Sequence, residues 1–185
     1  MANVLWTAPA GNLAGNTGTA VTAAALTSGT PQPLPQIPGG TLDPGTELDL
    51  EADFEVTSTS ATPTVVFSFY IGSVGQAIGS KTLIAATSAL AISASETAWP
   101  SKVRYRGKIT AVGASAGAIR GTGECLKATS LTAWTSTPFP VTQALRTVST
   151  LNTQQTNELD VGITLSSTTG SPSVTCTRFI VVVHG

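Results

Sequence analysis

Two short stretches concentrate the side chains that could do chemistry. An acidic residue occupies every odd position from Glu47 to Glu55, and a basic residue occupies every even position from Lys102 to Lys108. We call these sets the acidic row (Glu47, Asp49, Glu51, Asp53 and Glu55) and the basic row (Lys102, Arg104, Arg106 and Lys108). Together they hold five of the ten acids and four of the nine bases of this 185-residue chain.

The acidic row first raises the question of carboxylate chemistry. Neighbouring carboxylates on one strand face lie about 6–7 Å apart, given the usual rise per residue, and some glycosidase pairs have such a separation. However, glycosidases place their carboxylates across a cleft and raise the pKa of one of them. Calcium requires six to eight converging oxygens. A flat row satisfies neither requirement, so we expect no catalytic residue and no metal site.

Other candidate groups are also unpromising for catalysis. The single histidine, His184, is next to last, where we expect it to be solvated rather than held by the third group that a catalytic triad needs. Gly121 and Gly123 lack the remainder of a phosphate loop and instead suggest a bulge or a close backbone contact. Cys125 and Cys176 could form a disulfide, although free thiols are favoured. We therefore expect no enzyme and no cofactor.

Both rows require strands to position them. A period of two places alternate side chains on opposite faces, so each stretch predicts a strand with one buried and one charged face. Hydrophobic residues make up 41% of the chain and charged residues only 10%, against about 25% in typical domains. Further strands are predicted at 64–71, 118–126, 141–148, 157–165 and 174–183. Weaker candidates, or a short helix, lie at 81–86 and 89–93, and Trp134 falls in a Thr/Ser-rich loop.

These elements predict an all-β protein, an antiparallel β-sandwich with a jelly roll of about eight strands. Residues 1–32 are expected to form an extended N-terminal arm that Trp6 could anchor, and residues 33–185 the sandwich domain. The net charge of −1 gives no electrostatic case for nucleic-acid binding. No signal peptide is recognisable, and the apolar run 179–183 is much shorter than the roughly 20 residues that span a membrane.

Three interpretations of the charged rows remain open. They could be solvated faces, or pair across neighbouring strands for about 0.2–1 kcal/mol per pair, or meet another subunit or a larger assembly. In the usual jelly-roll wiring the acidic and basic strands would belong to opposite sheets. That wiring would exclude pairing within one subunit and favour the third interpretation. We therefore treat both rows, with Trp6 and Trp134, as candidate contacts with another subunit or a larger assembly.

The order of several motifs resembles a known family. The resemblance is carried by segments 34–38, 44–50, 62–64, 113–117, 158–163 and 174–177, together with Gly72 and Trp99. Over residues 33–185 the sequence resembles small virion proteins of tailed bacteriophages that adopt a tumour necrosis factor-like jelly roll and decorate the capsid.

This resemblance implies a non-enzymatic decoration, or cement, protein that stabilises the head shell. Its partners would be the major capsid protein and two further copies of itself in a homotrimer, with no nucleic acid and no membrane. It would be located in the virion, after assembly in the host bacterial cytoplasm. Related barrels also occur in tail appendages and head fibres. The alternative is therefore a receptor- or carbohydrate-binding barrel, in which Trp134 is the best candidate for stacking on a sugar.

Overall fold

The chain folds into two antiparallel β-sheets packed face to face. The computed structural model describes residues 2–7, 13–15, 24–25, 34–58, 62–130, 133–139, 146–167 and 172–185. The strands are β1 (Ala2–Thr7), β2 (Leu13–Gly15), β3 (Ala24–Ala25), β4 (Gln36–Ile37), β5 (Glu47–Ser58), β6 (Thr64–Ser73), β7 (Thr82–Ala86), β8 (Leu90–Ala91), β9 (Glu96–Ala111), β10 (Gly117–Ser130), β11 (Ala133–Phe139), β12 (Arg146–Leu151), β13 (Asn157–Leu165) and β14 (Ser173–His184). A 3-10 turn spans Ile78–Ser80. The expected all-β sandwich is confirmed.

Among the described residues the larger sheet has eight strands, six of them in the order β1-β14-β5-β9-β10-β11. β12 also pairs with β10, and β2 with β14. The smaller sheet has the order β3-β13-β6-β7, with β4 added to β13 and β8 added to β6. The described segments before residue 33 thus lie beside β14 and β13, in both sheets.

The core lies between the two sheets because alternate residues of each strand point inward. In β5 the even positions from Leu48 to Val56 are all buried. The Phe54 and Phe67 rings stack across the sandwich with centroids 4.3 Å apart. Phe69 packs against Phe179 from the large sheet, with centroids 6.1 Å apart. These aromatic contacts join the inner faces of the two sheets. The odd-numbered residues of β5 point to the outer face of the large sheet.

The predicted wiring of the charged strands is wrong. β5, which carries the acidic row, pairs directly with β9, which carries the basic row, in one sheet. The rows therefore share one outer face and do not point in opposite directions. Alternation identifies the faces of a strand, but it contains no information about which strand becomes its neighbour.

Other sequence predictions need smaller corrections. Trp134 lies in β11, an edge strand, and not in a loop. Four consecutive residues from Ala133 to Ser136 are exposed, so the apolar alternation that reveals a strand is missing. Residues 82–86 and 90–91 are strands rather than a helix. Of the strand predicted at 141–148, residues 141–145 lie outside the described residues.

The outer faces of the two sheets differ in accessibility. On the smaller sheet Ser68, Tyr70, Glu158 and Asp160 are all buried, although their neighbours along the strands point into the core. Lys81, just after the 3-10 turn, folds over this face. On the larger sheet the charged residues of the acidic and basic rows remain partly exposed. Within the described part of the chain, no helix is long and apolar enough to cross a membrane.

Candidate functional site

The outer face of the large sheet brings the acidic and basic rows together in register. Glu47 lies opposite Lys108, Asp49 opposite Arg106, and Glu51 opposite Arg104. The next pair in this antiparallel ladder is Asp53 with Lys102. Four of the five acidic residues therefore have an oppositely charged cross-strand neighbour, which stabilises the pairing of the two strands.

Asp49 is the centre of the first ion-pair cluster. Arg106 donates from Nε to Oδ1 at 2.6 Å and from its terminal nitrogen to Oδ2 at 2.8 Å, a bidentate arrangement. His184 Nε2 lies 3.0 Å from Oδ2 on the other side, from β14. His184 was expected to be solvated, and its side chain is 37% exposed, but it contacts this carboxylate.

Glu51 is the centre of the second cluster and faces three cations. Arg104 Nε donates to Oε2 at 2.6 Å, and Lys102 Nζ donates to Oε1 at 3.2 Å. Arg178, from β14, also donates to Oε1 and reaches Asp53 Oδ2 through Nε at 2.6 Å. Sequence reasoning did not include Arg178, because it lies 125 residues from Asp53 and outside either row.

These contacts determine the ionisation of the carboxylates. The hydrogen bond from Arg106, with a smaller one from His184, lowers the pKa of Asp49. Burial acts to raise the pKa of Glu51, but the hydrogen bond from Lys102 and the charges of Lys102, Arg104 and Arg178 outweigh it, so the pKa is lowered. Both groups are therefore ionised at neutral pH. A glycosidase acid needs a raised pKa, so this pair does not have the required asymmetry.

A shallow depression lies at the centre of the charged face. Its volume is about 530 Å³, and its lining includes Asp49, Glu51, Arg104, Arg106, Ile180 and Val182. Ile180 and Val182 lie beside Glu51 and Asp49 in the register of β14 with β5. The face thus combines an apolar floor with charged groups held in place by one another.

The remaining candidate contacts lie at the margins of this face. Glu55 is exposed opposite Pro100, and its side chain makes no hydrogen bond or ion pair with the described residues. Trp134 is 56% exposed on edge strand β11. For Trp6 only the backbone position is described, opposite Val181 in the pairing of β1 with β14. The structure therefore groups the two rows with Trp134 but does not test the role of Trp6.

Two buried ion-pair clusters were missed by sequence reasoning. Lys127 Nζ donates to both oxygens of Glu96, at 2.8 and 3.0 Å, and to the Ala128 carbonyl at 3.2 Å. In the smaller sheet Lys81 Nζ donates to Glu158 at 2.5 Å and to Asp160 at 3.0 Å. For Glu158 and Asp160 the available signal was charge within a mostly apolar strand, because a buried charge needs a partner.

Burial determines the ionisation of the two cysteines. Both are buried and free, and desolvation raises the pKa of each thiol to about 12. They do not form the disulfide that the sequence left open. Within the described ranges there is no group of three or more His, Cys, Asp or Glu residues that could hold a metal ion.

Comparisons with protein-family models, curated proteins and solved structures found no match to the chain.

Proposed function

We propose that the protein is a non-enzymatic structural protein of a bacteriophage virion, a decoration protein that attaches to the head shell as a homotrimer. The major capsid protein is the proposed partner. The resemblance of residues 33–185 to such proteins supports this assignment. The observation that carries it in the structure is the outer face of the large sheet, a charged surface with an apolar floor.

Accessibility supports this choice of binding face. The outer face of the smaller sheet is buried at Tyr70, Glu158 and Asp160. By contrast, Arg104 and Arg106 on the larger sheet are more than half exposed, at 54% and 70% of the side chain. A partner that approaches this face therefore meets Arg104 and Arg106 before the acidic residues of the ion pairs, which are only 22–27% exposed.

The ion pairs also suit a binding surface. Arg106 is fixed by two hydrogen bonds to Asp49, and Arg104 by one to Glu51. A partner therefore need not restrain these long side chains itself, which reduces the entropic cost of association. Charge on such a face controls orientation and association rate more than affinity, so the apolar floor at Ile180 and Val182 would supply much of the binding energy.

A non-enzymatic role is consistent with the chemistry of the face. Asp49 and Glu51 both have lowered pKa values, so neither is a proton donor at neutral pH. Cys125 and Cys176 are buried thiols with pKa values of about 12, which disfavours their use as nucleophiles. The described polar groups therefore support recognition better than bond-making chemistry.

The direct test is attachment to purified phage heads that lack the protein. Wild-type protein should bind in a saturable ratio, and cryo-electron microscopy should locate three copies at each occupied position. Light scattering should give the mass of a trimer in solution. A failure to bind any head shell, with a monomeric mass, would refute the proposal.

A pair of charge variants tests the proposed face. The double substitution Arg104→Glu and Arg106→Glu reverses the exposed basic charges and should weaken shell binding at least about tenfold, or about 1.4 kcal/mol. It also breaks the pairs to Glu51 and Asp49, so a matched control is needed. The exchange Glu47→Lys with Lys108→Glu keeps an oppositely charged pair between β5 and β9. It swaps the positions of the two charges on the outer face. Normal binding by both folded variants would exclude the charged face as the contact.

A further inference from the structure

A second depression on the outer face of the large sheet lies beside Trp134. It has a volume of about 260 Å³, and its lining includes Trp134, Asp53, Glu55, Lys102 and Thr177. Trp134 is a large aromatic residue with 56% of its surface exposed. The site is separate from the central depression, whose lining includes Arg104 and Arg106 instead.

The polar groups of this depression differ in their accessibility. Asp53 accepts from Arg178 through Oδ2, and its Oδ1 is buried 3.7 Å from Lys102 Nζ without a described hydrogen-bond donor, so a ligand does not reach it directly. The Glu55 side chain, at the exposed end of the row, has no hydrogen-bond or ion-pair partner within the described ranges. A ligand with hydroxyl donors would satisfy this exposed carboxylate.

We propose that this depression is a saccharide-binding subsite that takes one neutral hexopyranose ring of an oligosaccharide. The C–H groups on one face of a pyranose are apolar and weakly positive, so they stack on the negative face of an indole. A ring hydroxyl donates to the exposed Glu55 carboxylate, and Lys102 donates to a ring or hydroxyl oxygen. Each polar contact therefore matches a group that the depression already presents.

Size and charge restrict the ligand further. The volume is below the roughly 300–1,000 Å³ of sites for drug-sized molecules, so the subsite accommodates a single ring rather than a whole oligosaccharide. The exposed Glu55 carboxylate, which no described cation neutralises, repels uronic and sialic acids and favours neutral sugars. This inference does not depend on attachment to a head shell, since it concerns a ligand and residues at the other end of the face.

The test is titration calorimetry with cellohexaose, maltohexaose, mannohexaose and chitohexaose, with hexagalacturonate as the acidic probe. We expect at least one neutral probe to bind and hexagalacturonate to bind at least about tenfold more weakly. Trp134→Ala should weaken the neutral probe by about tenfold or more, whereas Trp134→Phe keeps an aromatic face and should retain most of the affinity. Val112→Ala, at another exposed apolar residue, is the matched control and should leave binding unchanged.

A second variant separates ligand binding from stability. Glu55→Gln, at an exposed position, should weaken the neutral probe and reduce the discrimination against hexagalacturonate. Thermal unfolding should show that each variant is folded. The proposal is overturned if no neutral probe binds wild type, if hexagalacturonate binds equally well, or if Trp134→Ala binds with wild-type affinity. Loss of shell attachment by Trp134→Ala, without saccharide binding by wild type, would assign Trp134 to a protein contact and also overturn it.

Discussion

Arg106 on β9 binds Asp49 on β5 through two hydrogen bonds of 2.6 and 2.8 Å between guanidinium and carboxylate. The two residues are 57 positions apart in the chain. Their pairing makes the two charged rows parts of a single surface within one subunit. It also couples the stability of the large sheet to pH.

The first prediction concerns the titration of Asp49. Its pKa lies below the ordinary value of 3.8, chiefly because of the hydrogen bond from Arg106. The stabilisation is therefore complete above pH 3.8 and is lost as the pH falls through the lowered folded pKa. Arg106→Gln should raise the pKa of Asp49, measured by carbon-13 NMR of its carboxyl group. Arg104→Gln, which contacts Glu51 instead, should leave this titration almost unchanged; an equal shift in both variants would contradict the assignment.

The second prediction concerns the buried pair of Lys127 and Glu96. Their side chains are 6% and 0% exposed. Lys127→Met leaves the Glu96 carboxylate without its cation and should cost about 3–5 kcal/mol of unfolding free energy. The double variant Lys127→Met, Glu96→Gln removes both charges and should be less destabilised than Lys127→Met alone. Urea denaturation of wild type, each single variant and the double variant gives the four unfolding free energies of this double-mutant cycle. Strictly additive losses would show that the pair is not coupled.

The third prediction is a pH dependence of opposite sign at Asp160. Desolvation raises its pKa above 3.8, although Lys81 opposes the shift. Between pH 3.8 and the raised folded pKa, the unfolded chain has already released this proton, so Asp160 increasingly destabilises the fold as the pH rises. Asp160→Asn does not titrate and should gain unfolding free energy relative to wild type between pH 3 and 7. The nearby Ser68→Ala change should show a constant difference from wild type, and a constant difference for Asp160→Asn would contradict the prediction.

The fourth prediction concerns the close approach at Gly123. A Cβ atom there would overlap the Phe139 ring and the Arg104 carbonyl oxygen. The close backbone contact predicted for this glycine is therefore confirmed. Gly123→Ala should cost about 1–3 kcal/mol or more of unfolding free energy, since the packed core cannot yield easily. Gly79→Ala, where an added Cβ meets nothing within 4 Å, should change stability by less than about 0.5 kcal/mol. Equal thermal unfolding of the two variants would contradict the packing argument.

Much of the fold was predictable from alternation. The period of two in β5 and β9 correctly separated inward residues such as Leu48 and Tyr105 from outward ones such as Asp49 and Arg106. The same rule failed for β11, because an edge strand with exposed residues on both faces shows no apolar alternation. It also did not predict that Arg178 and His184 of β14 belong to the charged face, because most other residues of that strand are uncharged.

The sequence by itself determined the all-β class, the faces of the charged strands and the uneven distribution of charge. These properties are local, because the direction of a side chain depends on its position along one strand. Only the tertiary structure decided that β5 and β9 are neighbours, that Arg178 and His184 complete the clusters, and that Trp134 lies beside Asp53 and Glu55. Strand pairing depends on contacts between distant parts of the chain, and a periodic pattern does not identify its partner.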